Sequence, residues 1–343
     1  MTRPGSVTLQ VVAGHAGVSR QTVSNALNAP GKLRPDTLRR VQESIAALGY
    51  RPDRHARSLR TRAAGALGYG IPPGGTGGLA DRFLPALCHA VETSGRELLL
   101  FAAPSGRDGL PAYAELLSQG LVDGFVLSHV VPGDARHAWL TRRGVPFASV
   151  GRVWVSEQPG PWVDVDHAAA TGVAVQHLRA RGHRRIALLA CPAGPGAIED
   201  RVAGWRRACR TLGLSYGDEL LARTADGIAG GRAGTARLLR VAPRPTAVVA
   251  VSDDLALGAL HAITEHGLRA GQDVAVTGVG DTAVCAAVRP TLTTVRLPVE
   301  ELARRAVRLL DRAAVPVLAG SAGVLLAPHL VIRDSTPPPG LTA

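Results

Sequence analysis

The first hydrophobic pattern along the chain is short and helical. In the stretch 7–28, VTLQVVAGHAGVSRQTVSNALN, Leu9, Val12 and Ala13 make one small apolar face. Gly14 and Gly17 bracket a tight turn that Val18 ends. Ser19 suits the N-cap of a second helix, because its hydroxyl can accept from an orphan backbone N–H. Val23 and Leu27 then lie one turn apart and face inward, while Arg20, Gln21, Ser24 and Asn25 fall on the solvent side. Leu38, Val41, Ile45 and Leu48 follow at spacings of three, four and three, so a third helix carries one apolar stripe. Pro35 suits its first turn and Gly49 its stop.

From Gly65 the pattern changes. Short buried-type runs occur at Leu98–Ala102, Gly124–Ser128, Phe147–Val150, Ile186–Ala190, Ala247–Val251 and Val274–Gly278. Amphipathic stretches such as Ala168–Arg181, Arg201–Leu212 and Leu255–Gly267 lie between them. This alternation predicts parallel, doubly wound α/β sheets with room for two lobes. Ligands in such folds bind beyond the carboxyl ends of the strands. Gly74–Gly78 is a glycine-rich loop after the first strand, and Pro337–Ala343 is a Pro-rich, frayed tail. The tail holds no leucine heptads, so a tetramerising coiled coil is not expected.

Charge sharpens the picture. Residues 1–63 carry eleven Lys+Arg against three acids (Asp36, Glu43, Asp53), a net of +8 out of +12 for the whole chain. Such asymmetry points to a polyanion partner. Lys32 is the only lysine, so an arginine-rich genome composition explains Arg over Lys, but not where the charge sits. Three small helices followed by RPDRHARSLRTR (51–62) read as a DNA-binding headpiece. A helix fits the major groove, and Gln21 or Asn25 can pair bidentately with adenine, while Arg20 reaches guanine or a phosphate. Thr8, Ser19, Thr22 and Ser24 can donate to phosphates, and Asn28 joins them at the helix end.

The remaining composition narrows the class. A chain of 343 residues holds a small domain plus two larger lobes, and 46% hydrophobic residues fill an α/β core. Met1-Thr-Arg-Pro is followed by no apolar signal region, and no apolar run approaches about 18 residues. The expectation is a cytoplasmic protein with no membrane partner. Cys88, Cys191, Cys209 and Cys285 show no CxxC spacing and read as reduced thiols. The eleven histidines show no metal-ligand clustering, so neither metal nor cofactor is expected. Gly278-x-Gly280-x-x-Ala283 mimics a dinucleotide fingerprint, but Pro290 cuts the following helix short and no paired catalytic groups follow. An enzyme is not expected.

The chain resembles bacterial transcription regulators of the lactose-repressor (LacI/GalR) family over nearly its whole length. Besides the headpiece, the resemblance rests on PDRHARSLRT (52–61), VDGFVLS (122–128), GVPFASVGR (144–152), VDVDHAAA (163–170) and HLRARGHRRIALL (177–189). It continues in RVAGWR (201–206), SDDLALGAL (252–260), RPTLTTVRLP (289–298) and PHLVIRDST (328–336). The resemblance implies a helix-turn-helix headpiece over 1–50, a hinge helix over 51–63 and a periplasmic-binding-protein-like core over 64–336. Lobe 1 takes about 64–163 and 294–322, and lobe 2 about 167–290 and 326–336. Three crossings join them near Asp164–His167, Thr291–Val295 and Gly323–Leu326.

The resemblance also implies roles. Arg20, Gln21 and Asn25 become base readers of double-stranded operator DNA. Leu59 becomes a minor-groove wedge that kinks the central step in a homodimer, with Ala56 at the helix pairing and Arg54, Arg57 and Arg60 on phosphates. Arg201 becomes the arginine that holds a small-molecule effector, a sugar or related metabolite. Several positions depart from sugar-binding relatives: Ser128, Gly151, Ser252, Gly280 and Leu297, together with Gly77-Gly78-Leu79-Ala80. Leu79, Ser128 and Ser252 are still expected to line the site. Asp253 and Asp281 remain as polar contacts or as helix caps. Val11 stands where the family often has aspartate. The alternatives are an effector-independent regulator of the same fold and a solute-binding protein, against which the basic headpiece speaks.

Overall fold

The computed structural model describes residues 7–50, 63–73, 79–154, 160–194, 196–313 and 323–337. Contacts divide the chain into two units, Met1–Ala64 and Gly65–Ala343, each with its own core.

The first unit holds α1 (Leu9–Ala16), α2 (Arg20–Asn28) and α3 (Pro35–Ala47). Thr8 caps α1 by accepting the Val11 N–H, and Ser19 Oγ caps α2 by accepting the Thr22 N–H at 3.1 Å. Gly14 lies inside α1, so the turn rests on Gly17 alone, whose φ of 61° suits a residue without Cβ. Val12, Ala13, Ala16, Val23, Ala26 and Val41 form the buried core. Leu27, expected inside, is only partly buried. Ala26 takes the buried place instead. The buried Ser44 hydroxyl donates to the Arg40 carbonyl and pairs with His15 Nδ1 at 3.0 Å, fastening α3 to α1.

The second unit contains two six-stranded sheets. In the first, β1 (Ala66–Ile71), β2 (Glu97–Ala102), β3 (Gly124–Leu127), β4 (Phe147–Val150) and β5 (Trp162–Val165) join the distant β11 (Val324–Leu326), in the order β2-β1-β3-β4-β5-β11. In the second, β6 (Ile186–Ala190), β7 (Leu221–Arg223), β8 (Ala247–Ala250), β9 (Ala275–Gly280) and β10 (Thr293–Arg296) join β12 (His329–Val331), in the order β7-β6-β8-β9-β10-β12. All neighbours are parallel except β10 and β12. Helices α4 (Leu79–Thr93), α5 (Leu110–Ser118), α6 (Ala135–Arg142) and α11 (Val299–Ala313) belong to the first lobe. Helices α7 (His167–Ala180), α8 (Ala197–Thr211), α9 (Ile228–Leu238) and α10 (Asp253–Glu265) belong to the second.

The chain crosses between lobes three times. The first crossing, at Asp166 between β5 and α7, lies within the expected window. The other two lie later than expected. Thr293–Arg296 is a full strand of the second sheet, so the chain leaves only at Leu297–Pro298, and Val324–Leu326 pairs with β5, so the last crossing follows it. Thr291–Val295 and Gly323–Leu326 are apolar and β-branched enough to be strands, and local composition does not say which sheet receives them. The Asp166 N–H donates to the Leu326 carbonyl at 3.0 Å, tying the first crossing to the third.

Glycine decides helix packing in the second lobe. A Cβ on Gly231 would collide with the Leu255 carbonyl, and one on Gly258 with the Ile228 carbonyl. Backbone therefore meets backbone between α9 and α10. Gly172 in α7 faces open space. Gly258→Ala should lower stability by about 1–3 kcal/mol through overpacking, whereas Gly172→Ala should raise it by roughly 0.5–1 kcal/mol. Urea titrations of both variants read this difference directly.

Candidate functional site

Two surfaces gather the chemistry, one in each unit. In the first unit, α2 carries it. The Thr8 and Ser19 hydroxyl oxygens accept from cap backbone N–H groups, and Ser19 Oγ also lies 2.9 Å from Thr22 Oγ1. Arg20, Gln21 and Asn28 are exposed, while Thr22, Ser24 and Asn25 are partly buried. Gln21 Nε2 donates to Asn25 Oδ1 at 3.0 Å, so the two amides form one unit rather than two independent readers. What stays available is the Gln21 carbonyl oxygen and the Asn25 amide hydrogens, one acceptor beside one donor. Adenine presents the matching pair, N6–H and N7, in the major groove. Asn28 Nδ2 donates to the Ser24 carbonyl at 2.7 Å and closes the end of α2. Val11 is 49% exposed on α1, an apolar side chain left in water. Arg54, Ala56, Arg57, Leu59 and Arg60 lie outside the described residues.

In the second unit, the sequence-predicted residues gather at the carboxyl ends of the strands. Each sheet reverses its winding once, between β1 and β3 and between β6 and β8, the places where ligands bind in such folds. Ser128 follows β3, Ser252 and Asp253 follow β8, and Asp281 follows β9. Leu79 opens α4. Among the described residues, three other than glycine hold the left-handed conformation: His129 (φ 50°), Trp154 (φ 57°) and Asp281 (φ 57°). All three sit just past strands of this rim. Strain of this kind costs of order 1–3 kcal/mol and collects at binding sites.

Most of the polar groups at the rim already have partners. The buried Ser128 hydroxyl donates to the Tyr69 hydroxyl at 2.9 Å. Ser252 caps α10 and donates to Asp226 Oδ1 at 2.9 Å. Asp253 is buried, and its carboxylate accepts from the Thr282 N–H (2.8 Å) and from the Thr282 and Thr294 hydroxyls. Its oxygens stand where a Cβ on Gly278 or Gly280 would go, at 2.5 and 2.9 Å. Those glycines make room for a carboxylate, not for a phosphate. Asp281 accepts from Arg296 at 2.5 Å and from Arg333 at 2.7 Å, and these arginines hold its pKa below the ordinary value against the opposing effect of burial. Asp253 and Asp281 thus organise the rim, and neither cap role nor free ligand contact describes them.

Arg201 is different. It lies in the first turns of α8, and Nη1 donates to the Val251 carbonyl at 2.6 Å. Nη2 pairs with His167 Nδ1 at 3.2 Å. Nε is buried and has no hydrogen-bond partner among the described residues. Among the described residues no carboxylate touches the guanidinium, and burial pulls its pKa down from the ordinary arginine value. It can donate to an anion or to hydroxyl oxygens.

Sequence reasoning missed the groups that join the lobes here. Arg152, just after β4, donates to Asp164 Oδ2 at 2.9 Å and to Asp200 of α8 at 2.5 Å, and its guanidinium stacks on Trp154 at 4.2 Å. Arg82 of α4 reaches across to the Gly280 and Asp281 carbonyls at 3.0 and 3.3 Å, and also meets Glu300. Behind Ser128, the buried pair Arg136–Asp134 holds the Ser128 and His129 carbonyls. The one local signal for Arg152 was a cation followed closely by tryptophan at a strand end. Among the described residues, no group of His, Cys, Asp and Glu could hold a metal ion, and no helix is long and apolar enough to cross a membrane.

Comparison with known proteins agrees with this geometry. Residues 8–53 match the model of bacterial regulatory proteins of the lacI family, and residues 175–336 match the periplasmic binding protein-like domain. The HTH-type transcriptional regulator CelR of Thermobifida fusca is 32% identical over 339 residues, covering 98% of this chain and 100% of that protein. The solved structure of a transcriptional regulator CelR–cellobiose complex is 30% identical with a TM-score of 0.71, covering 96% of this chain and 99% of that one. The lac repressor dimer bound to operator and the anti-inducer ONPF is 29% identical with a TM-score of 0.78, at the same coverage.

The Asp281 pairings carry a pH signature. A carboxyl whose pKa is depressed by folding stabilises the fold above its ordinary value near 3.8, and that contribution is lost as pH falls through the folded value. Wild-type stability should therefore drop more steeply below about pH 4 than that of Asp281→Asn, which lacks the titrating group. Urea midpoints measured from pH 6 down to about pH 2 test this; parallel curves would contradict it.

Proposed function

Since this chain belongs to the lacI family of bacterial regulatory proteins and is a DNA-binding regulator of transcription, we propose that it acts as a homodimeric repressor whose two helix-turn-helix units read the halves of a palindromic operator. In this reading Gln21 and Asn25 together contact one base pair per half-site, and Arg20 contacts a guanine or a phosphate. Thr8, Ser19, Thr22, Ser24 and Asn28 position α2 against the backbone. Leu59 wedges the central step, with Arg54, Arg57 and Arg60 on phosphates and Ala56 at the pairing of the two hinges.

The two-lobe core answers to a small molecule held at the strand ends. The observation that carries this is Arg201, a partly buried guanidinium whose buried Nε has no partner and which meets no carboxylate among the described residues. The strained His129, Trp154 and Asp281 around the same rim support it. A saccharide is the ligand class we favour, since Trp154 and Trp162 offer indole faces beside Arg152 and a similar regulator is described in complex with cellobiose. One observation favours a second reading, a regulator without effector. Ser128, Asp253 and Asp281, expected to meet a ligand, are bonded within the protein.

Selection of bound duplexes from a random DNA pool tests the first half. A palindrome around a flexible central step is expected, and absence of any enriched motif would sink the operator reading. On the selected site, Gln21→Ala and Asn25→Ala should each cost roughly 1–3 kcal/mol at one base pair. The double variant should lose less than the sum, because the two amides share a bond. Leu59→Ala should weaken operator binding strongly and leave the core folded. Titration of the operator complex with cellobiose and a saccharide panel tests the second half. Release of DNA that Arg201→Ala abolishes, with operator affinity kept, supports the effector. No response to any ligand supports the second reading.

A further inference from the structure

At the first crossing, five side chains from both lobes close into a ring. Arg201 Nη2 meets His167 Nδ1 at 3.2 Å, and His167 Nε2 meets Asp164 Oδ1 at 3.3 Å. Asp164 Oδ2 accepts from Arg152 Nε at 2.9 Å, and Arg152 Nη2 reaches Asp200 Oδ2 at 2.5 Å. Asp200 and Arg201 are consecutive on α8, so the ring returns to its start. It passes through the strand that enters the crossing, the helix that leaves it, and the ion pair between the lobes. His167 is 8% exposed and opens α7.

Hydrogen-bond chemistry settles the protonation of that imidazole. An arginine only donates, so His167 Nδ1 must accept from Arg201. The proton then sits on Nε2, where it donates to Asp164. A doubly protonated ring would turn an N–H against the Arg201 N–H groups. Burial, reinforced by the Arg201 and Arg152 charges, pulls the His167 pKa down, against Asp164, which raises it. Asp164, Arg152 and Arg201 are the charged groups that face it.

We propose that His167, as the neutral Nε2–H tautomer, is a positioning residue that aims the Arg201 guanidinium into the cleft and couples it to the Arg152–Asp200 ion pair between the lobes. The proposal rests on the reading of Arg201 as the ligand's anchor. A ligand that takes the spare Nε of Arg201, with Nη2 still bonded to Nδ1, pulls on the imidazole and through it on Asp164 and the clasp. Glutamine can replace both functions, with its carbonyl toward Arg201 and its amide toward Asp164, whereas leucine fills the space and does neither.

The test uses the full-length protein and cellobiose as probe. Melting curves and operator affinity first establish that His167→Gln and His167→Leu are folded. His167→Gln should bind cellobiose within a few-fold of wild type, and His167→Leu should lose about tenfold or more, the worth of a hydrogen bond to a charged group. Asp200→Asn should change cellobiose affinity in the wild-type and His167→Gln backgrounds and have no effect in His167→Leu. Equal affinities for the Gln and Leu variants, or an Asp200→Asn effect undiminished in His167→Leu, would overturn the coupling. A second readout needs no ligand. Nitrogen-15 spectra of histidine-labelled protein, with His167 assigned by its loss in His167→Gln, should show the Nε2–H tautomer at pH 7. A protonated ring or an Nδ1–H tautomer there would overturn the proposal. If wild type does not bind cellobiose but the tautomer is Nε2–H, the saccharide reading fails while the positioning of Arg201 stands.

Discussion

The core is organised around a partly buried guanidinium, that of Arg201, which meets no carboxylate among the described residues. Burying an ion carries an effective penalty of several kcal/mol, and an ion pair with good geometry repays most of it. The chain applies that remedy elsewhere. Arg136 has Asp134, Arg152 has Asp164 and Asp200, and Arg296 and Arg333 share Asp281. Among the described residues Arg201 bonds a carbonyl and an imidazole, and further stabilisation comes from Asp164, Asp226 and Asp253 at longer range. A group left in this condition is ready to bind, because any oxygen-rich ligand that reaches it supplies what the fold withholds.

The topology explains why the charge sits there. Both sheets reverse their winding at one point, and the chain crosses between them three times, so the carboxyl ends of β3, β8 and β9 are brought to one rim. Backbone in the left-handed region at His129, Trp154 and Asp281 is tolerated because neighbours fix it: Arg136 holds the carbonyls at 128 and 129, and Asp281 is gripped from both sides. The same rim carries Arg152 and Arg82, which reach from one lobe to the other. The proposed ligand site and the interlobe clasp are built from adjacent residues, Arg201 and Asp200, so a pull on one reaches the other.

The first unit solves a different problem. Its core is small, so capping and one buried serine carry much of its order: Thr8 and Ser19 each satisfy an N–H that a helix start leaves unpaired, and Ser44 ties α3 to His15 of α1. Affinity for a polyanion comes from the concentration of arginines in and after this unit, and is sensitive to salt. The Gln21–Asn25 amide pair, whose mutual bond orients one acceptor and one donor outward, is the proposed reader of sequence.

Local chemistry made much of this legible in the sequence. Ser19 before α2, Pro35 at the start of α3 and Gly49 at its end mark boundaries because capping is decided within a few residues. The run–helix alternation exposed the parallel sheets, and β4 and β6 coincide with their apolar runs, because buried parallel strands are continuously hydrophobic. The charge asymmetry and the α2 side chains announced a DNA-reading unit with no structure at hand. Tertiary structure decided the rest. Whether Thr293–Arg296 pairs in the first or second sheet, whether Asp253 faces a ligand or Thr282 and Thr294, and that Arg152 finds Asp200 while Arg82 finds the Asp281 carbonyl all depend on which strand ends meet. Periodicity records which face of an element is buried; it carries no record of the partner across the cleft, because that partner is selected by sheet order and crossing position, not by neighbours in the chain.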